Sequence, residues 1–380
     1  MRVALVHDFL NTWGGGEYVL KVFTEMFPEA PVFTITADQK IVDEFFPGVD
    51  VRTSFLQNWP GMPKKFKYYL LWMPKAIESF DFEPPRRELR GITAEDLRGF
   101  DLILSDSSAY AKGVITKPPT KHICYLHTPT RYMWSDYESY IASAPIPTPL
   151  IGQPVVKAII KHLRKWDLEA AKRPDVIIAN SEYIAERTRK YYHRNPDYVL
   201  WPPVNGKRFS ISPKISDYFL IVGRQEPYKR TDLAIQAANQ LGFKLKIVGG
   251  GTKMDALKKI AGPTVEFTGR VSDEELNGLY SNCLAFIFPP KEDAGITPLE
   301  AMASGRPVIA YAEGGALESV VAGETGEFFQ EQTVESLAAA IKNFDASKYD
   351  SQKIRAHAMK FDKEVFKQKI RQIIDKTQQS

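Results

Sequence analysis

Short apolar runs rich in β-branched residues alternate with amphipathic helical patterns along this chain, and they do so twice. In the first stretch the strand-like runs are Val3–His7, Leu102–Ser105, His122–Leu126 and Val176–Ala179. A helical pattern from Tyr18 to Phe27 follows the first run, and Ser181 stands where a cap for Glu182–Tyr192 belongs. After Trp201-Pro202-Pro203-Val204 the alternation restarts with Phe219–Val222, Lys244–Val248, Val265–Thr268, Ala285–Phe288 and Pro307–Ala310. Thr231–Leu241, Lys253–Ile260, Asp273–Asn282 and Pro298–Ser304 carry the helical patterns between these strands. Apolar strands separated by helices belong to parallel sheets covered on both faces. The expected fold class is therefore α/β, with two Rossmann-like domains. At 380 residues the chain is too long for one ordinary core. The Pro-Pro after Leu200 is the natural linker, because proline ends elements and stiffens connections.

Composition narrows the partners. An apolar fraction of 44% and an aromatic fraction of 12% suffice for two packed interiors. A net charge of +4, without long blocks of one sign, gives no electrostatic footprint for nucleic acid. Cys124 and Cys283 are far apart, lie in the apolar runs His122–Leu126 and Cys283–Phe288, and make neither a metal motif nor a disulfide framework. They read as reduced core residues, which places the protein in the cytoplasm. Met1-Arg2-Val3-Ala4-Leu5-Val6 reads as a strand without a cleavage site, and no apolar run reaches the ~18 residues needed to span a bilayer. The expectation is a soluble protein or one peripheral to the inner face of a membrane.

Two segments interrupt the alternation. Within Met62–Phe80, lysines crowd beside aromatics, and Lys64–Lys75 reads as a basic amphipathic helix. Such a helix either lies on an anionic membrane surface or packs on the first sheet. Val155–Trp166, with Lys157, Lys161 and Lys165 along one face, carries the same two readings.

Chemistry concentrates at the ends of strands. The run Lys291–Gly305 follows the strand ending at Phe288, where open α/β sheets bind ligands. Thr297-Pro298 reads as an N-cap followed by a first-turn proline, and a free helix start there suits phosphate. Glu292 before that helix and Glu300 inside it have carboxylates suited to sugar and ribose hydroxyls. In isolation they would read as the solvated acids of a capped helix. Arg224 and Lys229 follow Phe219–Val222, where two cations neutralise a diphosphate. Gly14-Gly15-Gly16 lies between a strand and a helix, but is not the G-x-G-x-x-G of dinucleotide folds. His127 ends an apolar run before Thr128-Pro129, so its ring is expected to point toward the cleft at the strand ends; the role of His7, which ends the first run, stays open. The remaining histidines show no metal-ligand spacing, and no nucleophile–base pair stands out.

Taken together, these residues resemble the retaining glycosyltransferases of family 4, which have the GT-B fold. Glu292 and Glu300 match an E-x7-E signature, with Gly295 between them. Gly14–Glu17 looks like the N-terminal glycine loop, and Gly223-Arg224 with Lys229 resembles a G-R-x4-K segment. Lys246–Gly250, Phe267–Val271, Gly314-Gly315 with Glu318, and Gly323–Gly326 fall in the same order and approximate spacing. The stretch Tyr125–Trp134 is similar to bacterial mannosyltransferases of polysaccharide and O-antigen assembly.

The resemblance implies two domains facing across a cleft. Residues 1–200 would bind the acceptor, residues 201–362 the nucleotide-sugar, and a helix in 363–380 would cross back to the first domain. Arg224 and Lys229 would hold the donor diphosphate, and His127 and Glu292 would serve the transferred sugar. Gly15, Gly16, Gly223, Gly249, Gly250, Arg270, Val271, Ala294, Gly295, Ile296, Thr297 and Glu300 would line the donor. Many relatives carry phenylalanine where this chain has Ala294, which bears on the shape of the sugar pocket. The implied reaction moves a hexose, first of all mannose from GDP-mannose, to a saccharide or lipid-linked acceptor, with a GDP- or UDP-linked substrate and neither cofactor nor metal. A nucleotide-sugar 2-epimerase and a non-catalytic nucleotide-sugar scaffold share the fold and remain alternatives.

Overall fold

The computed structural model describes residues 1–82, 99–143 and 148–379. It divides into two compact units: Met1–Leu200 together with Lys367–Ser380, and Trp201–Phe366.

The first unit holds strands β1 (Val3–Leu10), β2 (Val32–Ala37), β3 (Val51–Thr53), β4 (Leu102–Ser107), β5 (Lys121–Leu126), β6 (Val176–Ala179) and β7 (Tyr198–Val199). They form one sheet in the order β3-β2-β1-β4-β5-β6-β7, and every pair is parallel. The order reverses between β1 and β4, which opens a crevice beyond the carboxyl ends of those two strands. The second unit holds β8 (Tyr218–Val222), β9 (Lys244–Val248), β10 (Val265–Gly269), β11 (Ala285–Phe288), β12 (Val308–Tyr311) and β13 (Gly326–Phe329). Their order is β10-β9-β8-β11-β12-β13, again all parallel, with the reversal between β8 and β11.

Side-chain alternation explains why the central strands β8, β11 and β12 of the second unit carry no charged residue, whereas the outer strands β9 and β10 carry Lys244, Lys246 and Glu266. Leu220, Phe286 and Val308 join one core, whereas Phe219, Ile221, Ile287 and Ile309 join the core on the opposite face. Helices cover both faces of these central strands, so polar residues have no exposed side there to occupy, while Lys246 and Glu266 pair at 3.0 Å across the outer strands.

Several local expectations are revised. Gly15 and Gly16 begin the helix Gly15–Met26, and only Gly14 lies outside it as the cap. Lys64–Lys75 is not one amphipathic helix. Phe66–Trp72 forms 3-10 turns and Met73–Glu78 a short α-helix, because Pro63 and Pro74 interrupt a continuous α-helical hydrogen-bond ladder. Val155–Trp166 lies inside a longer helix, Thr148–Ala170, kinked at Gly152. Val156, Ile160 and Leu163 face the core there, while Lys157, Lys161 and Lys165 stay exposed. Cys283 precedes β11 as the residue ending the helix Asp273–Asn282. Both cysteines are buried and free, and burial pushes each thiol up to about 12.

The terminal helix Lys363–Gln379 buries Ile370, Ile373 and Ile374. Lys367 Nζ pairs with Glu25 Oε2 at 2.7 Å within the first unit. Among the described residues no helix is long and apolar enough to cross a membrane.

Candidate functional site

In the second unit the loops after β8, β9, β11 and β12 meet at one edge of the sheet. Gly223 N–H donates to Val248 O (3.1 Å), and Gln225 N–H to Gly250 O (2.9 Å). The buried Gln225 amide also donates to Gly223 O (2.8 Å) and accepts from Thr231 Oγ1 (2.7 Å). Gly249 has φ +107, and a Cβ there would lie 2.2 Å from Gly223 O, so the two backbones meet only because it is glycine. Gly314, at φ +68, plays the same part across the reversal. Its Cβ would stand 2.3 Å from Glu292 O, and the next residue, Gly315, donates its N–H to that oxygen at 2.9 Å.

This scaffold gathers Arg224, Lys229, Glu292 and the start of the helix Ile296–Ala303. Arg224 is exposed, and among the described residues its guanidinium has no protein partner. Lys229 is instead ion-paired with Glu292, both side chains largely buried. The helix begins earlier than Thr297-Pro298 suggested. Gly295 (φ +99) is its cap, Thr297 is the second helical residue and Pro298 the third. Thr297 is thus not the N-cap. No side chain caps the start, so the first-turn N–H groups lack an intrahelical acceptor, and Pro298 supplies none. Ala294 is buried against Gly315.

Glu300 accepts a hydrogen bond from Tyr280 Oη at 2.7 Å. Burial raises its carboxyl above the usual range, an effect the Tyr280 bond only partly offsets. Gly250, Arg270 and Val271 lie at the carboxyl ends of β9 and β10 on the same edge. Among the described residues, no group of three or more His, Cys, Asp or Glu side chains is placed to hold a metal.

The first unit builds a second cluster at its own reversal point. His7 on β1 and Asp106 on β4 are register partners, and His7 Nδ1 bonds Asp106 Oδ2 at 2.9 Å. The other oxygen, Oδ1, bonds His127 Nε2. Glu17 Oε1, on the glycine-led helix, lies 3.9 Å from His7 Nε2. The His127 ring is therefore turned onto Asp106, and a Cβ on Gly16 would sit 3.6 Å from its Nε2.

Burial opposes protonation of His7, but hydrogen bonds and charge attraction from Asp106 and Glu17 prevail and raise it to about 10. His127 is raised for the same reason, with burial opposed by Asp106. Burial would raise Asp106, but His127 and His7 hold its carboxyl below the usual range. Asp106 carried no motif in the sequence, and Glu17 entered only as the last residue of the Gly14–Glu17 loop.

The loop after His127 is pinned from below. Buried Asp167 pairs with buried Lys112 at 2.6 Å, accepts from Thr130 Oγ1 (2.9 Å) and Trp134 Nε1 (2.7 Å), and takes the Tyr192 hydroxyl at 2.8 Å. Asp8 anchors the β4 end by accepting backbone N–H bonds from Ser108, Ala109, Tyr110 and Ala111 at 2.6–2.8 Å.

Residues 207–361 match the family model described as "Glycosyl transferases group 1". The second unit is a group 1 glycosyltransferase domain. Arg224, Lys229, Glu292 and the helix start at Gly295 all fall inside the matched span of that domain. The alpha-1,3/1,6-mannosyltransferase of Mus musculus is 33% identical over 40% of this chain and 46% of its own length. The GDP-mannose-dependent alpha-(1-6)-phosphatidylinositol monomannoside mannosyltransferase of Mycolicibacterium smegmatis is 32% identical, over 44% and 52%. The chain spans about half the length of these curated relatives.

Solved structures share the fold over the whole chain. Sucrose-phosphate synthase of Thermosynechococcus elongatus has a TM-score of 0.71 at 18% identity, covering 99% of both chains. The Anabaena HepE protein, solved with UDP and glucose, has a TM-score of 0.70 at 17% identity, also covering 99% of both. The group 1 domain thus belongs to a chain of GT-B fold.

Proposed function

We propose that the chain is a retaining hexosyltransferase that takes its sugar from a nucleotide diphosphate, with mannose from GDP-mannose the first donor to test. The observation that carries this is the edge of the second sheet at its reversal point. A guanidinium without a partner among the described residues, an amine–carboxylate pair and a helix start without a side-chain cap stand together there, suited to a diphosphate beside a hydroxyl-bearing ring. Relatives named as mannosyltransferases support mannose. HepE was solved with UDP, which keeps UDP-sugars in the test.

In this reading Arg224 and the helix start hold the diphosphate, and Lys229 reaches the leaving phosphate. Negative charge grows on that phosphate as the glycosidic bond breaks, so fixed cations lower the barrier more than they tighten ground-state binding. Glu292 orients the amine of Lys229 and turns its free oxygen to sugar hydroxyls. Glu300 takes ribose hydroxyls. The first unit binds a saccharide or lipid-linked acceptor, and His127 serves the transferred sugar. Retention follows from attack on the face the phosphate leaves, with that phosphate taking the acceptor's proton; no protein nucleophile is needed.

Thermal shift against GDP, UDP, ADP and their sugar conjugates tests the donor, because a ligand that binds only the folded state raises its stability in proportion to RT ln(1 + [L]/Kd). The reading predicts the largest shift with GDP and GDP-mannose. A donor epimerised without any acceptor would replace the transferase reading with an epimerase.

A further inference from the structure

Between Phe55 and Ile77 the sequence has four lysines and no aspartate or glutamate. The inward side of this segment is fully used: Leu56, Leu70, Met73, Ala76 and Ile77 are buried in the core of the first unit. Its outward side leaves Tyr68 54%, Leu71 48%, Trp72 45% and Phe55 38% exposed. Buried Leu70 and the exposed side chains interleave along the 3-10 turns at Phe66–Trp72. The segment kinks at Tyr69 (φ -109, ψ 23), and Tyr68 before the kink and Leu71 and Trp72 after it are left exposed.

The rings form a continuous platform. Trp59 contacts Phe55 at 5.9 Å, Tyr69 at 5.2 Å and Trp72 at 5.3 Å between centroids. Lys75 Nζ stands 5.9 Å from the Trp72 ring. Lys64, Lys65 and Lys75 are exposed, and among the described residues none has an ion-pair partner.

We propose that this patch seats the first unit on an anionic lipid bilayer. Tyr68, Leu71 and Trp72 would enter the headgroup region, and Lys64, Lys65 and Lys75 would meet lipid phosphates. Charge complementarity selects this occupant. Amphipathic aromatics settle at the headgroup level, and lysines extend their stems along them while keeping the ammonium in water. Protein–protein interfaces are depleted in lysine, so a lysine-rimmed aromatic surface is a poor match for a second copy of the chain. The proposal uses none of the donor-site residues and stands whichever sugar is transferred.

The test is cosedimentation of the full chain with phosphatidylcholine vesicles, with and without phosphatidylglycerol, across a salt series. Binding should require phosphatidylglycerol and fade as salt rises. Each lysine near an anionic surface strengthens binding about fivefold, so the triple variant Lys64→Ser, Lys65→Ser, Lys75→Ser should bind about a hundredfold more weakly. Leu71→Ser with Trp72→Ser should also release the protein, while circular dichroism shows the fold retained and melting falls by only a few degrees, since neither side chain belongs to the buried core. Lys157→Ser, Lys161→Ser, Lys165→Ser, on the helix Thr148–Ala170, should leave binding intact. Binding independent of phosphatidylglycerol, no binding to either vesicle, or release only by this last triple overturns the proposal. So does self-association that Leu71→Ser with Trp72→Ser abolishes.

Discussion

His7 and His127 share one carboxylate: Asp106 bonds His7 through Oδ2 and His127 through Oδ1. Two imidazoles on different strands are thereby held on either side of a single buried charge. A third buried histidine shows what the carboxylate does. His122 bonds the Ser105 hydroxyl at 2.8 Å, and burial drives it down to about 3. Burial is common to all three, so the partner decides the charge.

The first prediction concerns pH. His7 titrates near 6.5 in an unfolded chain and near 10 here. Its charge therefore stabilises the fold in full below about pH 6.5, and that contribution is lost as pH rises through about 10. Asp106, held low, contributes above the usual carboxylate range and loses that contribution as acid protonates it. Urea unfolding from neutral to alkaline pH should show stability declining across the His7 window. Asp106→Asn should flatten the decline and cost about 3–5 kcal/mol near neutral pH, since it leaves buried imidazoles without their counter-charge. A flat wild-type profile would remove the ionic reading of the cluster.

Arg224→Ala should weaken nucleoside-diphosphate binding by roughly ten- to a hundredfold, since a charge-assisted bond contributes ~1.5–3 kcal/mol net. Binding of the bare nucleoside should barely change. Calorimetry with both ligands decides; equal affinity of mutant and parent for the diphosphate would misplace the site.

Glu292→Gln should reduce turnover by about a hundredfold while melting shifts by only a few degrees. Glutamine keeps an oxygen within reach of the Lys229 amine, so the largely buried pair loses its charge but not its hydrogen bond. Lys229→Ala should lower turnover more than donor affinity. Steady-state kinetics beside melting curves check both, and parental turnover in Glu292→Gln would exclude a sugar contact.

Gly314→Ala should cost ~1–3 kcal/mol, because its φ is +68 and the new Cβ would meet the Glu292 carbonyl. Donor binding should fall with it, since the displaced backbone carries Glu292. Gly278→Ala is the control. It lies in the helix Asp273–Asn282 with nothing within 4 Å of a new Cβ, and should stabilise by about 0.5–1 kcal/mol. Denaturant melts of the pair should move in opposite directions.

Much of the fold was legible because buried parallel strands are apolar on both faces. Val176–Ala179 and Ala285–Phe288 coincide with β6 and β11, and Lys244–Val248 coincides with β9 although Lys244 and Lys246 interrupt its apolar run. β2 went unread because Thr34 and Thr36 break its apolar run. Both threonines are buried, with hydroxyls satisfied by Thr36 O and by Asn11. The candidate site of the second unit was largely legible, since Gly223-Arg224, Lys229, Glu292, Gly295 and Glu300 are local motifs tied to strand ends. Its capping was misjudged at Thr297 because the left-handed Gly295 starts the helix two residues earlier.

By itself, the sequence determined the two alternations of strand and helix, the linker after Leu200 and the strand ends where polar residues gather. Each is a local property, written in periodicity and in glycine and proline. Only the tertiary structure decided which charges meet. His7 and Asp106 are 99 residues apart and become neighbours through the parallel register of β1 and β4, while Lys229 and Glu292 are joined 63 residues apart across the reversal between β8 and β11. Strand order and register place such pairs, and neither is encoded in the spacing of any one segment. The charge state of a buried histidine depends on the partner that register brings to it.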